Sequence, residues 1–281
     1  MLIQGVISIL SFHGISKECC IWLDAQPSVK EETLTDWILY QASLNSKKVF
    51  YKAFKRNEEA LNGADWEWWI LTDSGYQTYA YRLLIQAKKL NGFDNYGAVT
   101  YGNRNGMQID LLLNSALERQ AYPLYAYYTC TQPNIKEQIN NFNNVDEKII
   151  RWCEKCINGA YLSPAKEVRH RVIEKPKRKI SDNKLVDNAL GLSMLDLIFN
   201  DNSAGIKVLD LMNADFVQNF ATKEINNAKH GIRYLFESTP QYLRTFIENN
   251  YELQRVDWLE SEFRYDLKNI SGIAVIDARK N

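Results

Sequence analysis

"ADWEWWILTDSGYQTYAYRLLIQAKK", residues 64–89, decides how this chain folds. Its two halves are dense in Trp, Tyr, Ile and Leu, residues that fit a pleated, packed surface. Between them, "TDSGYQ" (72–77) is a cluster of turn formers. Two such runs around a tight turn read as adjacent antiparallel strands. Side chains two apart on a strand share a face. Asp65 and Glu67 therefore point one way, and Trp66 and Trp68 the other. On the second strand Gln86 and Lys88 share a face. When the two strands pair, an acid pair and an amide–lysine pair can meet at one end of a sheet. The tryptophans are expected in the core, because strand aromatics usually pack.

Upstream, "EETLTDWILYQASLNS" (31–46) has helical spacing, with Leu34, Trp37, Ile38, Gln41 and Leu44 on one side. Two acids open its first turn, where the helix dipole favours them. "KVFYKAF" (48–54) reads as a strand, and "KRNEEALNG" (55–63) as a polar connection ending in an Asn-Gly turn. Downstream, a Gly/Asn-rich loop (91–106) leads to a helix, "MQIDLLLNSALERQ" (107–120), and then a strand, "AYPLYAYYTC" (121–130). The order α-β-β-β-α-β predicts an α/β layer domain, with the first three strands as an antiparallel meander. Residues 1–27 form an N-terminal extension and 28–130 the core. Residues 131–281 read as a mostly helical part, either packed on that core as one composite domain or forming a second domain. Its last segment, "ISGIAVIDARK" (270–280), is a short apolar strand able to return to the sheet.

The chain's 281 residues are 46% hydrophobic and 24% charged, enough for a real core. The formal net charge is zero, so no global field marks a nucleic-acid binder. No run approaches the roughly 18 apolar residues of a membrane span. The apolar start, "MLIQGVISILSF", lacks the basic opening and small-residue cleavage site of a secretory signal. Five cysteines without an export signal predict reduced thiols and a cytoplasmic location. Cys153 and Cys156 form a CxxC, which supplies only two of the four ligands structural zinc takes. A helix with two half-buried thiols is the plainer expectation.

Hydrolysis of a phosphodiester uses a hard cation to polarise the phosphoryl oxygen and acidify water. Magnesium takes oxygen ligands, usually one or two carboxylates with waters and substrate. Asp65 is the natural main ligand, with the Gln86 carbonyl and a glutamate of the first helix, Glu31 or Glu32, as further oxygens. Glu67, on the same face as Asp65, is a further candidate metal ligand. Lys88 can orient water or stabilise charge on the phosphate. "EETL" (31–34), "GAD" (63–65) and "QAK" (86–88), in this order on helix, strand and strand, resemble the PD-(D/E)xK nuclease superfamily. The Gln form of the last motif resembles the Mrr-like restriction endonucleases. The wording of the motifs also looks like an uncharacterised bacterial group within that superfamily. The resemblance covers about residues 30 to 130, and Ala64 stands where the superfamily often has Pro.

The resemblance implies a restriction-endonuclease-like core and a Mg²⁺-dependent (or Mn²⁺-dependent) endonuclease acting on DNA. Asp65, Gln86, Lys88 and Glu31 or Glu32 would be catalytic, in bacterial defence or genome maintenance. A homodimer would supply two sites for two strands, and a defence system could add a partner protein. Residues 166–184 hold eight Lys/Arg against three Asp/Glu. Lys175, Lys177, Arg178 and Lys179 are the candidate phosphate contacts. Tyr96 and Tyr101, in the Gly/Asn-rich loop, and Gln108, at the next helix, are candidate substrate contacts. The rival expectation is a catalytically inactive relative of the fold that binds nucleic acid or a protein partner.

Overall fold

In the computed structural model the described residues are 12–54, 63–74, 76–134, 136, 155–174, 179–200, 233–249, 263, 267 and 270–279. Two helices open it, α1 (Phe12–Ala25) and α2 (Glu31–Asn45). Strands β1 (Val49–Ala53), β2 (Trp66–Ser74) and β3 (Gln77–Lys89) follow. A helical turn, α3 (Tyr96–Val99), precedes a small hairpin, β4 (Gly102–Asn103) and β5 (Gly106–Met107). Then come α4 (Gln108–Arg119) and β6 (Tyr122–Tyr128). The predicted α-β-β-β-α-β order is present, as α2, β1, β2, β3, α4 and β6.

The remaining described chain adds β7 (Ala160–Pro164), α5 (Ala165–Arg169), α6 (Asp182–Val186), β8 (Leu190–Gly191) and α7 (Leu195–Asn200). It ends with β9 (Arg233–Leu235), α8 (Gln241–Glu248) and β10 (Gly272–Asp277). All four of these strands enter the same mixed sheet as the core, in the order β1-β10-β2-β3-β6-β7-β8. Beyond the end of β6, β9 pairs with the first half of β3. The chain is thus an α/β fold with one open mixed sheet flanked by helices. Most of the helical pattern expected in 135–154 and 201–232 lies outside the described residues.

The expected three-strand meander does not form. β2 and β3 pair antiparallel as predicted, from Trp66↔Ile85 to Ser74↔Gln77. β10, however, lies between β1 and β2, antiparallel to the first and parallel to the second. Burial explains the order. β10 is buried from Gly272 to Ile276, as suits a strand covered on both faces, whereas β1 is only half-buried and takes the edge. Gly272 is required at the crossing, since a Cβ there would sit 2.4 Å from the Trp66 ring.

The sheet is packed on both sides. Trp66, Trp68 and Ile70 of β2, with Leu83 and Ile85 of β3, face α1 and α2. On the other face Leu84, Tyr125 and Tyr127 pack on α4 and α5. Beside them Trp69 and Leu71 pack on α8. The tryptophans of "WEWW" are core, as expected.

Candidate active site at the mouth of the central strands

Asp65 stands immediately before β2, and its backbone is held from both sides. Its N–H donates to Ile85 O at 2.8 Å, and its carbonyl accepts from Ser271 N–H at 2.6 Å. The intruding β10 thus makes the start of β2 an interior position of the sheet. The preceding loop lies flat on α4. Gly63 has φ +71°, and a Cβ on it would come within 2.4 Å of Gln108 O and 2.5 Å of Leu112 N. Only glycine meets both demands, the left-handed backbone and the close approach.

The antiparallel register brings Gln86 beside Asp65. Gln86 Nε2 donates to Asp65 Oδ2 at 2.6 Å, and Ala87 N–H donates to the same oxygen at 3.0 Å. The amide's second hydrogen reaches Ala87 O at 3.1 Å. Gln86 is 1% exposed, and its Oε1 is buried without a hydrogen-bond partner. A buried carbonyl in that state is costly unless something donates to it or coordinates it. Two residues on, the Lys88 ammonium lies 3.6 Å from Glu31 Oε1. Glu31 Oε2 accepts from Lys89 N–H at 3.1 Å, which fixes the first turn of α2 against the end of β3.

Glu31, Lys88 and Lys89 border a cleft of 520 Å³ at the carboxyl end of β3; Asp65 and the buried Gln86 are not among its lining residues. Glu31, Glu32, Lys88, Tyr101 and Gln108 all line it. α2, from one face of the sheet, and α4, from the other, both begin at this cleft. Their N-terminal dipole ends favour negative charge there. Neither N-cap residue, Lys30 or Met107, caps its helix with a side chain.

Other expected residues lie elsewhere. Glu67 shares the face of Asp65 but does not reach the cleft; its carboxylate is fully consumed in the core. Oε1 accepts from Trp69 Nε1 at 2.7 Å and from the Tyr242 hydroxyl, and Oε2 pairs with Arg82 at 2.8 Å and Arg119 at 3.8 Å. With both oxygens engaged and no exposure, it is a structural anion and not a metal ligand. Tyr96 is half-buried and packs against the α4 cluster. Lys175, Lys177 and Arg178 lie outside the described residues, as does Cys153; Lys179 is exposed. Cys156 is a free thiol whose pKa burial raises.

Two residues went unseen in the sequence. Tyr125 of β6 stands opposite Gln86 in the parallel register, and its buried hydroxyl has no hydrogen-bond partner. Burial raises its pKa above the ordinary tyrosine range, and Asp65 and Asp110 push it the same way. The alternation in "PLYAYY" could have put Tyr125 and Tyr127 on one face; it could not say which strand lies alongside. The second is Asp182, buried beneath the loop that walls the cleft, where it takes donors from Gly92, Asn95, Thr129 and Thr131. Its place in a basic run hid it.

Asp65, Gln86 and Glu31 supply oxygen donors, the kind that hard divalent cations take. Among the described residues no three His, Cys, Asp or Glu side chains gather as a metal site, so a cation here would need the Gln86 amide oxygen. No described helix is long and apolar enough to cross a membrane. A family model matches residues 12–280. The chain belongs to DUF6615, a family of unknown function. No curated protein and no solved structure matches it. The DUF6615 match runs from α1 through β10, so every element around the cleft lies within the family's own extent.

Proposed function

We propose that the cleft is the active centre of a metal-dependent nuclease that hydrolyses phosphodiester bonds in DNA. Its core would be of the restriction-endonuclease-like type, with Gln86 in place of the usual glutamate. The observation that carries this is a convergence. Residues 31, 65 and 86–88, on three separate elements, bring two carboxylates, an unpartnered amide oxygen and a lysine to one sheet end.

Asp65 would hold the cation together with Gln86 Oε1, once the Gln86 amide turns its oxygen in place of its Nε2 toward Asp65, with Glu31 at the rim. Mg²⁺ or Mn²⁺ bound there would supply a Lewis acid for the phosphoryl oxygen and lower the pKa of water. Lys88 would exchange its contact with Glu31 for the phosphate or the attacking water, donating where negative charge develops. The starts of α2 and α4 would favour the phosphate backbone. Asp65 keeps its aim because its backbone is bonded to both neighbouring strands.

The test is plasmid, linear duplex and single-stranded DNA incubated with Mg²⁺ or Mn²⁺, beside Asp65→Ala and Lys88→Ala. Cutting that needs metal and is lost in both variants is expected. Cutting that survives both changes would remove the cleft from the account. DNA binding with no cutting on any substrate would favour the non-catalytic reading of the fold.

A further inference from the structure

The loop that walls the cleft is held with unusual firmness, yet it leaves an aromatic ring in water. Asn91, Gly97, Ala98 and Tyr101 line that wall. Beneath it Asp182 accepts from Gly92 N–H at 2.9 Å and Asn95 Nδ2 at 2.5 Å, and its other oxygen from Thr129 at 2.7 Å. Asn95, fully buried, also donates to Ile180 O and accepts from Asn91 N–H at 2.7 Å. Val99 is buried in the α4 cluster. On the far side of Tyr101, its carbonyl accepts from Gln108 N–H at 2.9 Å, and the Gly102–Met107 hairpin closes directly onto α4.

The backbone of Tyr101 is therefore fixed before and after it, while its side chain is 54% exposed at the cleft. A ring with only two side-chain torsions, on a fixed backbone, loses little entropy when something stacks on it. Lys30, Lys88 and Lys89 line the same cleft beside Glu31 and Glu32; Lys88 contacts Glu31, and Lys89 Nζ donates to Pro27 O and Val29 O. An aromatic face beside a row of cations is how proteins take single-stranded nucleic acid, with bases stacked on the ring and phosphates on the charges. In a continuous duplex the base faces are stacked on one another and out of reach.

We infer that Tyr101 is a nucleobase-stacking platform, and that the substrate presents unpaired nucleotides at the cleft: a single strand, or a single-stranded overhang on a duplex. This rests on the nuclease reading for the nature of the ligand. It adds the strand state, which the catalytic groups by themselves leave open.

The experiment uses one labelled oligonucleotide as a single strand, as a blunt duplex and as a duplex with an overhang. Binding is read by fluorescence anisotropy with Ca²⁺ in place of Mg²⁺, and cutting with Mg²⁺. Single strand and overhang should bind about tenfold or more tighter than the blunt duplex. Tyr101→Ala should weaken single-strand binding about tenfold and leave duplex binding unchanged, while Tyr101→Phe retains the ring and the affinity. Tyr76→Ala is the control: that residue is fully exposed, but in the turn between β2 and β3, at the opposite end from Asp65. Duplex bound and cut as well as single strand, or no effect of Tyr101→Ala, overturns the inference and leaves the nuclease reading standing. A single-strand preference that depends on Tyr101 but comes with no cutting upholds the platform and defeats the nuclease reading.

Discussion

At the mouth of the sheet the Lys88 ammonium stands 3.6 Å from Glu31, and solvent reaches both side chains. In the interior, on the same face of β3, the Arg82 guanidinium stands 2.8 Å from Glu67 of β2, which solvent does not reach. Both pairs join an acid to a base of β3, but the outer acid, Glu31, opens α2, whereas the inner one, Glu67, sits within β2. The inner carboxylate is saturated: Arg119, Trp69 and Tyr242 complete the shell of Glu67, and the Arg82 guanidinium lies 5.4 Å over the Trp69 ring. The outer set keeps a buried carbonyl without a partner, on Gln86, and its Glu31 and Lys88 open to a cleft. A carboxylate saturated and sealed from solvent holds the fold; an acid and a base in one long contact that solvent reaches can be drawn to something else.

The sharpest way to break that contrast is Glu67→Ala. It strands Arg82 and Arg119 against a buried void and should cost about 3–5 kcal/mol. A fall in urea midpoint smaller than that of a surface substitution would sink the structural reading of Glu67. Asp182→Ala comes next. It orphans the buried donors of Asn95 and Thr129, and should cost about 2–3 kcal/mol with faster amide exchange across residues 91–101. Unchanged exchange there would mean that the cleft wall does not depend on this anchor.

Gly63→Ala should cost about 1–3 kcal/mol, since the residue would need φ +71° and would press on Gln108. Its chemical denaturation curve reads this directly; a stability equal to the parent would show that the loop re-routes freely. Lys88→Ala should change stability least, by less than about 1 kcal/mol, because the Glu31 contact is long and reached by solvent. A thermal shift as large as that of Glu67→Ala would erase the distinction between mouth and interior.

Much of the mouth was legible in the letters. A hairpin of strong strand formers sets Asp65 opposite Gln86, because side-chain period and turn position together fix the register. The upstream helix with acids in its first turn was equally plain. Whether Glu31 or Glu32 meets Lys88 was not, because both lie at the helix start and only docking on the sheet selects Glu31. Glu67 was misjudged for the same kind of reason. A carboxylate between two tryptophans looks functional until Arg82, Arg119 and Tyr242 are seen around it, and Tyr242 lies 175 residues away. Asp182 looked like one acid among solvated bases.

The sequence by itself determined the elements α2, β1, β2, β3, α4, β6 and β10, the faces of β2 and β3 and their pairing, since these follow from period, turn chemistry and neighbours close along the chain. Only the tertiary structure decided which strand lies beside which. β10 displaced β1 from β2, and that exchange holds Asp65 between two strands at the mouth. The physical reason is that strand order is chosen by burial summed over both faces of the whole sheet, a quantity that no local stretch of residues contains.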